Sequence, residues 1–138
     1  MFIGTSLYYF TTRKKYSIIA RTGVVEPEGS FLLPPSSKSK LVLLTSDARP
    51  DLNNIGLGDA DDLIVRLTIR NGRDFISWKD YVAANRLPKD WCAKVEAGRD
   101  PGKWYVCSRR VLKTEILEAA ISDTDLGVDM MALRRASR

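Results

Sequence analysis

Leu7-Tyr8-Tyr9-Phe10-Thr11-Thr12 is the stretch whose reading decides the fold. A leucine followed by three aromatic residues has strand propensity. Either threonine hydroxyl can accept a hydrogen bond from the first turn of a following helix. That helix runs to about Thr22, burying Tyr16, Ile19 and Ala20, with Gly23 at the left-handed terminating position. A strand passing through a cap into a helix is the first unit of the domain.

Working outward, residues 27–40 hold three prolines and four serines and read as a long loop. Leu41-Val42-Leu43-Leu44 is a continuous apolar run, expected to form a strand buried on both faces. Turn formers follow, with Asn53, Asn54, Gly56 and Gly58 conspicuous. In residues 63–69, Leu63, Val65, Leu67 and Ile69 face one way, and Arg66 and Thr68 the other, as in a half-buried strand. Ser77 and Asp80 form a capping-box variant ahead of a helix that carries Trp78, Tyr81 and Val82 on one face. Pro88 suits the first turn of another helix, in which Trp91 and Val95 are four apart and Gly98 marks the end. Trp104-Tyr105-Val106-Cys107 is a further strand, and a last one is expected from about Ile116. This order predicts an α+β domain with helices grouped against a small sheet. In the tail, residues 122–138, the apolar patch Met130-Met131-Ala132-Leu133 is expected to form a short docked helix or to be disordered.

The chain has 138 residues, which suits one domain able to bury a core without disulfide or metal. Its 22 basic against 17 acidic residues give a formal charge of +5, favouring an anionic partner or simply solubility. The acidic cluster Asp59, Asp61 and Asp62 argues against a dedicated nucleic-acid binder. Cys92 and Cys107 are too far apart for a CxxC pair, and a chain without histidine makes a zinc site unfavourable, so no metal is expected. Both thiols read as buried in a reducing compartment. No signal peptide and no spanning run is recognisable, so a cytoplasmic location without membrane association is the expectation.

Four places could carry chemistry. Arg13, Lys14 and Lys15 stand in the first helical turn, where cations oppose the macrodipole; an anion held by the helix N–H groups would relieve that conflict, and solvation is the alternative. Thr45-Ser46-Asp47 follows the best buried strand and presents hydroxyls and a carboxylate to a ligand, or closes an ordinary turn. Glu115 or Glu118 could stabilise an oxocarbenium-like centre or act as a base, or both could be solvated. Trp78, Trp91 and Trp104 read as core or lid rather than as base-stacking platforms. No phosphate loop, G-x-S-x-G or metal-ligand spacing occurs, and serine or cysteine nucleophiles lack a histidine base.

The run Leu7-Tyr8-Tyr9-Phe10-Thr11-Thr12 with Thr22-Gly23-Val24-Val25 resembles the opening of small ADP-ribosyltransferase-like proteins. There a strand similar to Y-H-F-T-S leads into a helix that ends before G-(I/V). Leu43-Leu44-Thr45-Ser46-Asp47-Ala48-Arg49-Pro50 followed by Gly56-Leu57 is similar to a W-L-T-T-D-P-x-P…G-L stretch of a small uncharacterised family. The spacing of Val65-Arg66-Leu67-Thr68, Trp78, Pro88-x-x-Trp91 and Trp104-Tyr105-Val106 extends the resemblance over residues 7–121. It implies a small split, mixed or antiparallel sheet flanked by short helices, with NAD held in the cleft. Carried over by position, Tyr9 stands where relatives have a histidine that orients the cofactor ribose. Thr45 or Ser46 would line the nicotinamide site, Thr11 and Lys14 would border the cofactor, and Glu115 or Glu118 would activate the acceptor. Tyrosine cannot supply the histidine's ring-nitrogen donor, and the second-strand tyrosine of many active members is absent. Two functions follow: an NAD-dependent ADP-ribosyltransferase acting on a protein or nucleic acid, as a toxin or phage-type effector, or a catalytically degenerate module that inhibits or recruits a macromolecular partner.

Overall fold

The computed structural model describes residues 6–57, 63–122 and 130–134. The acidic cluster Asp59, Asp61 and Asp62, together with residues 1–5, 123–129 and 135–138, lies outside them. β1 (Leu7–Thr12) passes directly into α1 (Arg13–Thr22). β2 (Val24–Val25), β3 (Val42–Thr45), β4 (Ile64–Ile69) and β5 (Ile76–Ser77) follow. After α2 (Trp78–Asn85) and α3 (Lys89–Glu96) come β6 (Trp104–Cys107), β7 (Val111–Leu112), β8 (Ile116–Ser122) and β9 (Met130–Arg134). One sheet has the order β5-β6-β3-β1-β4-β8-β9, with antiparallel neighbours throughout, and β2 pairs separately with β7. The domain is α+β.

Local chemistry sets the boundaries. Thr12 caps α1, its Oγ1 accepting from the Lys15 N–H at 3.2 Å, and Gly23 ends the helix at φ 80°. Ser77 caps α2 through the Asp80 N–H. Pro88 precedes α3 as its N-cap rather than sitting in its first turn. Ala20 was expected inside α1's buried face but is exposed. The buried stripe follows the i, i+3 line from Tyr16 to Ile19, and the next residue turns about 100° away from it.

The sheet carries a core on each face. Leu7, Leu44, Leu67 and Ile121 belong to the first, beneath Ile19 of α1 and Val25 of β2. Leu43, Trp104 and Val106 face the second, covered by Trp78 of α2 and by Cys92 and Val95 of α3. Each fully buried leucine stabilises the fold by about 1.5–3 kcal/mol.

Two expectations about the C-terminal region are corrected. Glu118 was placed on the face of Ile116, but Ile116 pairs with Ile69 while Glu118 pairs with the adjacent Thr68. The register shift between Thr68 and Ile69 leaves Leu117 as an extra residue, so Glu118 turns to the opposite face from Ile116. The Met130-Met131-Ala132-Leu133 patch is a strand and not a helix, because β9 pairs with β8 from Ala119 to Ser122 and covers that part of its outer edge.

Candidate functional site

Along one side β1 is paired with β4 from Leu7↔Ile69 to Thr12↔Ile64. Along the other, its ladder with β3 has a single pair, Tyr8↔Thr45. Continued antiparallel register would set Tyr9 against Leu44 and Phe10 against Leu43. Those pairs are not made, while β3 stays paired with β6 from Val42 to Thr45. The sheet divides here, and the two strands diverge toward Thr12 and Val42.

A cavity of about 260 Å³ occupies the fork. Tyr8, Tyr9 and Phe10 of β1 form one wall, and Leu41 and Leu43 another. The segment from Glu26 to Phe31, Lys15 of α1, and Ile55 and Gly56 complete the lining. Gly56 has φ 77°, and a Cβ there would stand 2.9 Å from the Phe31 ring, so this close approach admits only glycine without displacement. The Lys15 Nζ donates to Glu28 Oε1 at 2.9 Å, and Arg110 Nη2 lies 3.4 Å from Glu26 Oε2. Both pairs are more than half exposed and contribute at most about 1 kcal/mol each. What they do is fix the segment that crosses the fork.

Tyr9 packs on the first core while lining the cavity. Burial and then the Glu28 charge push its phenol up to about 12, against a hydrogen bond from Thr11 that lowers it. The hydroxyl is therefore neutral at physiological pH, a donor and acceptor but not a base. Thr11 itself is buried on the same face. Lys14 is exposed and does not line the cavity, although Lys15 beside it does.

Thr45 and Ser46 are not brought to the cavity. Thr45 is fully buried, and its Oγ1 accepts from the Asp47 N–H at 3.1 Å, while the Asp47 carboxylate accepts from the Arg49 N–H. This is the turn chemistry that was the alternative reading of the loop. Ser46 is exposed, its N–H donating to the Lys103 carbonyl. The expectation that Tyr9 and Thr45 face one pocket fails on parity. Thr45 stands opposite Tyr8, so it shares a face with Tyr8 and lies on the far side of the sheet from Tyr9.

The two glutamates part company. Glu115 receives both Nη1 and Nη2 of Arg109, at 2.8 and 2.7 Å, and the Leu112 N–H at 2.9 Å. The Arg109 guanidinium holds its carboxyl below the usual range. Arg109 also reaches Asp74 and lies over the Phe75 ring, so Glu115 belongs to a clamp that closes the turn before β8. Glu118 is exposed and continues a row across four strands: Thr45, Tyr8, Thr68, Glu118. With strands about 4.8 Å apart, Tyr8 and Glu118 lie roughly 10 Å from each other along it. Of the site residues assigned by resemblance only Tyr9 lines the cavity; Tyr8, Phe10, Glu28, Phe31 and Gly56 are among the lining residues that sequence reasoning missed. The i, i+2 spacing of Tyr8 and Phe10 was a signal for a shared face, but nothing local marked Glu28 or Phe31.

Among the described residues, no group of three or more cysteine, aspartate or glutamate side chains is arranged to hold a metal ion, and no helix is long and apolar enough to cross a membrane. No family model matches the chain, and no curated protein matches it. Among solved structures it is similar to EcPltA, with a TM-score of 0.55 and 12% sequence identity over 94% of this chain and 83% of that one. At that identity the likeness is one of fold alone.

Proposed function

We propose that this chain is an ADP-ribosyltransferase-like protein that binds NAD in the fork between β1 and β3. The observation that carries the reading is the single-pair junction Tyr8↔Thr45, beyond which the sheet opens into an aromatic-walled cavity. The sequence resemblance implies a sheet split in this way, with the cofactor in the cleft. NAD, when bound, supplies the ADP-ribosyl group with nicotinamide as its leaving group. The residues fit one ring of such a ligand: Tyr8, Phe10 and Phe31 offer flat apolar surface, and the Tyr9 hydroxyl offers a neutral hydrogen-bonding group. Glu118 is an exposed carboxylate on the face of Tyr8 with no ion pair among the described residues, and its role is to take the proton of the acceptor, since Glu115 is committed to Arg109. The acceptor is a protein or a nucleic acid, with the +5 charge favouring an anionic one.

The second reading, a binding module without transfer, is favoured by one observation. The Thr45 hydroxyl, assigned by resemblance to the nicotinamide site, is consumed inside a turn. Calorimetric titration with NAD separates the possibilities. Saturable binding is expected, with Glu118→Gln keeping that affinity while losing any cleavage or transfer. Binding without turnover in the unaltered protein selects the module reading, and no binding at millimolar NAD ends the transferase reading and leaves the module that binds a macromolecular partner.

A further inference from the structure

Arg66 of β4 projects from the face that carries Tyr8 and Phe10, standing directly opposite Phe10. Its Nη1 donates to the Ala48 carbonyl at 3.0 Å, and its guanidinium lies 5.4 Å from the centre of the Tyr8 ring. Its Nε is buried and has no hydrogen-bond partner among the described residues. Glu118, diagonal to it on β8, makes no ion pair with it. The contrast with Arg109, which is bound by two carboxylates and a carbonyl, is direct. A guanidinium carries a fixed charge, and a half-buried one that meets no anion among the described residues costs the fold stability. Features that cost stability in this way mark binding sites, because the ligand supplies the missing partner.

We propose that Arg66 is a phosphate anchor, binding the phosphate or diphosphate of a small-molecule ligand whose ring occupies the fork. The inference rests on the reading of the fork as the ligand cleft, and it adds a residue and a ligand chemistry to it. A cavity of about 260 Å³ encloses a ring but not a dinucleotide. The remainder of such a ligand must lie outside, and the way across Tyr8 and Phe10 leads to Arg66. Cross-strand neighbours have Cβ atoms about 4.5–5.5 Å apart, so the Arg66 stem begins one side chain away from the cavity wall. The planar guanidinium then meets phosphate oxygens by charge-assisted hydrogen bonds, which a lysine replaces only as a point charge.

The test uses ADP, inorganic pyrophosphate and adenosine against the unaltered protein, Arg66→Met and Arg66→Lys, by thermal shift and calorimetry. ADP and pyrophosphate are expected to raise the melting temperature of the unaltered protein, and adenosine at equal concentration to do so far less. Arg66→Met should melt no lower than the unaltered protein without ligand, yet lose the ADP and pyrophosphate shifts. Arg66→Lys should bind ADP at least about tenfold more weakly, the cost of a lost charge-assisted hydrogen bond. No stabilisation of the unaltered protein by either phosphate compound overturns the assignment. So does an ADP affinity in both variants within about twofold of the original, a change below about 0.5 kcal/mol. Collapse of both variants would make Arg66 a tether for the Ala48 loop and overturn it too. ADP binding that depends on Arg66, in a protein that ignores NAD, keeps the anchor and removes the NAD reading. NAD binding untouched by Arg66→Met does the reverse.

Discussion

Glu115 and Glu118 show how two residues of one type, three apart, acquire different work. Glu115 has a 21% exposed side chain and accepts three hydrogen bonds, two of them from the Arg109 guanidinium. Glu115→Gln keeps its shape but loses the ion pair, and should cost about 1–3 kcal/mol in urea denaturation, the range for hydrogen bonds to charged groups. Glu118→Gln, on an exposed site, should stay within about 0.5 kcal/mol. Because the Glu115 carboxyl titrates lower folded than unfolded, its stabilisation is complete above the ordinary carboxylate value of 4.5 and fades as pH falls below it. The urea midpoint should therefore drop between about pH 5 and pH 3, less steeply in Glu115→Gln; parallel curves would deny the clamp its electrostatic role. Tyr9 has the opposite sign. Its phenol titrates near 12 folded against 10.0 unfolded, so its neutral form stabilises the fold below pH 10 and the contribution is lost above it. Tyrosinate absorbance should lose a late-titrating component in Tyr9→Phe; loss of a component titrating near the ordinary value of 10.0 instead would contradict the burial argument. At this scale the sequence was half legible. Alternation along β1 was readable, but which aromatic belonged to the cleft depended on the partner of Thr45, a contact made across 37 residues of chain.

At the scale of elements, the strands and helices rich in apolar residues were readable because propensity and burial agree in them. The Leu7–Phe10 run, the Leu41–Leu44 run, the Leu63–Ile69 alternation and the Trp104–Cys107 run all fall within two residues of the strands observed. What escaped were the two-residue strands β2, β5 and β7, too short for any period, and β9, whose pairing depends on the edge of β8. The bulge in β8 escaped too, since no glycine or proline announces it. Gly56 was readable as a turn former, yet its second role was not. It ends the 3-10 turn Leu52–Ile55 at φ 77° and also lies against the Phe31 ring. Gly56→Ala meets both constraints at once and should cost about 1–3 kcal/mol, more than a left-handed position alone. Since Phe31 borders the cavity, its displacement should also weaken any ligand of the fork. A stability loss under about 0.5 kcal/mol, with ligand affinity intact, would show that the ring gives way freely.

For the whole molecule, the fork raises the question whether the two halves of the sheet are independent. They meet through one β1–β3 pair, a weak connection by ladder alone. Packing decides otherwise. β3 and β6 give Val42, Leu44 and Cys107 to the first core and Leu43, Trp104 and Val106 to the second, so the same two strands lie between both cores. The first core also contains Leu7, Leu67 and Ile121 from the other side of the fork. Unfolding either half exposes apolar surface of the other, and one cooperative transition is the consequence. The free thiols report on this separately, for Cys92 lies in the second core and Cys107 in the first, at 9% and 2% exposure. Burial raises the pKa of both, which slows their reaction while folded. Brief thiol labelling across a urea series should modify the two with the same midpoint, and both fully in the denatured protein. Modification of Cys92 at lower urea than Cys107 would mean that α3 and its core open first, with the fork as a mechanical boundary. The coincident result would make the fork what its packing implies, a cleft set into one rigid body whose walls move only when the whole domain unfolds.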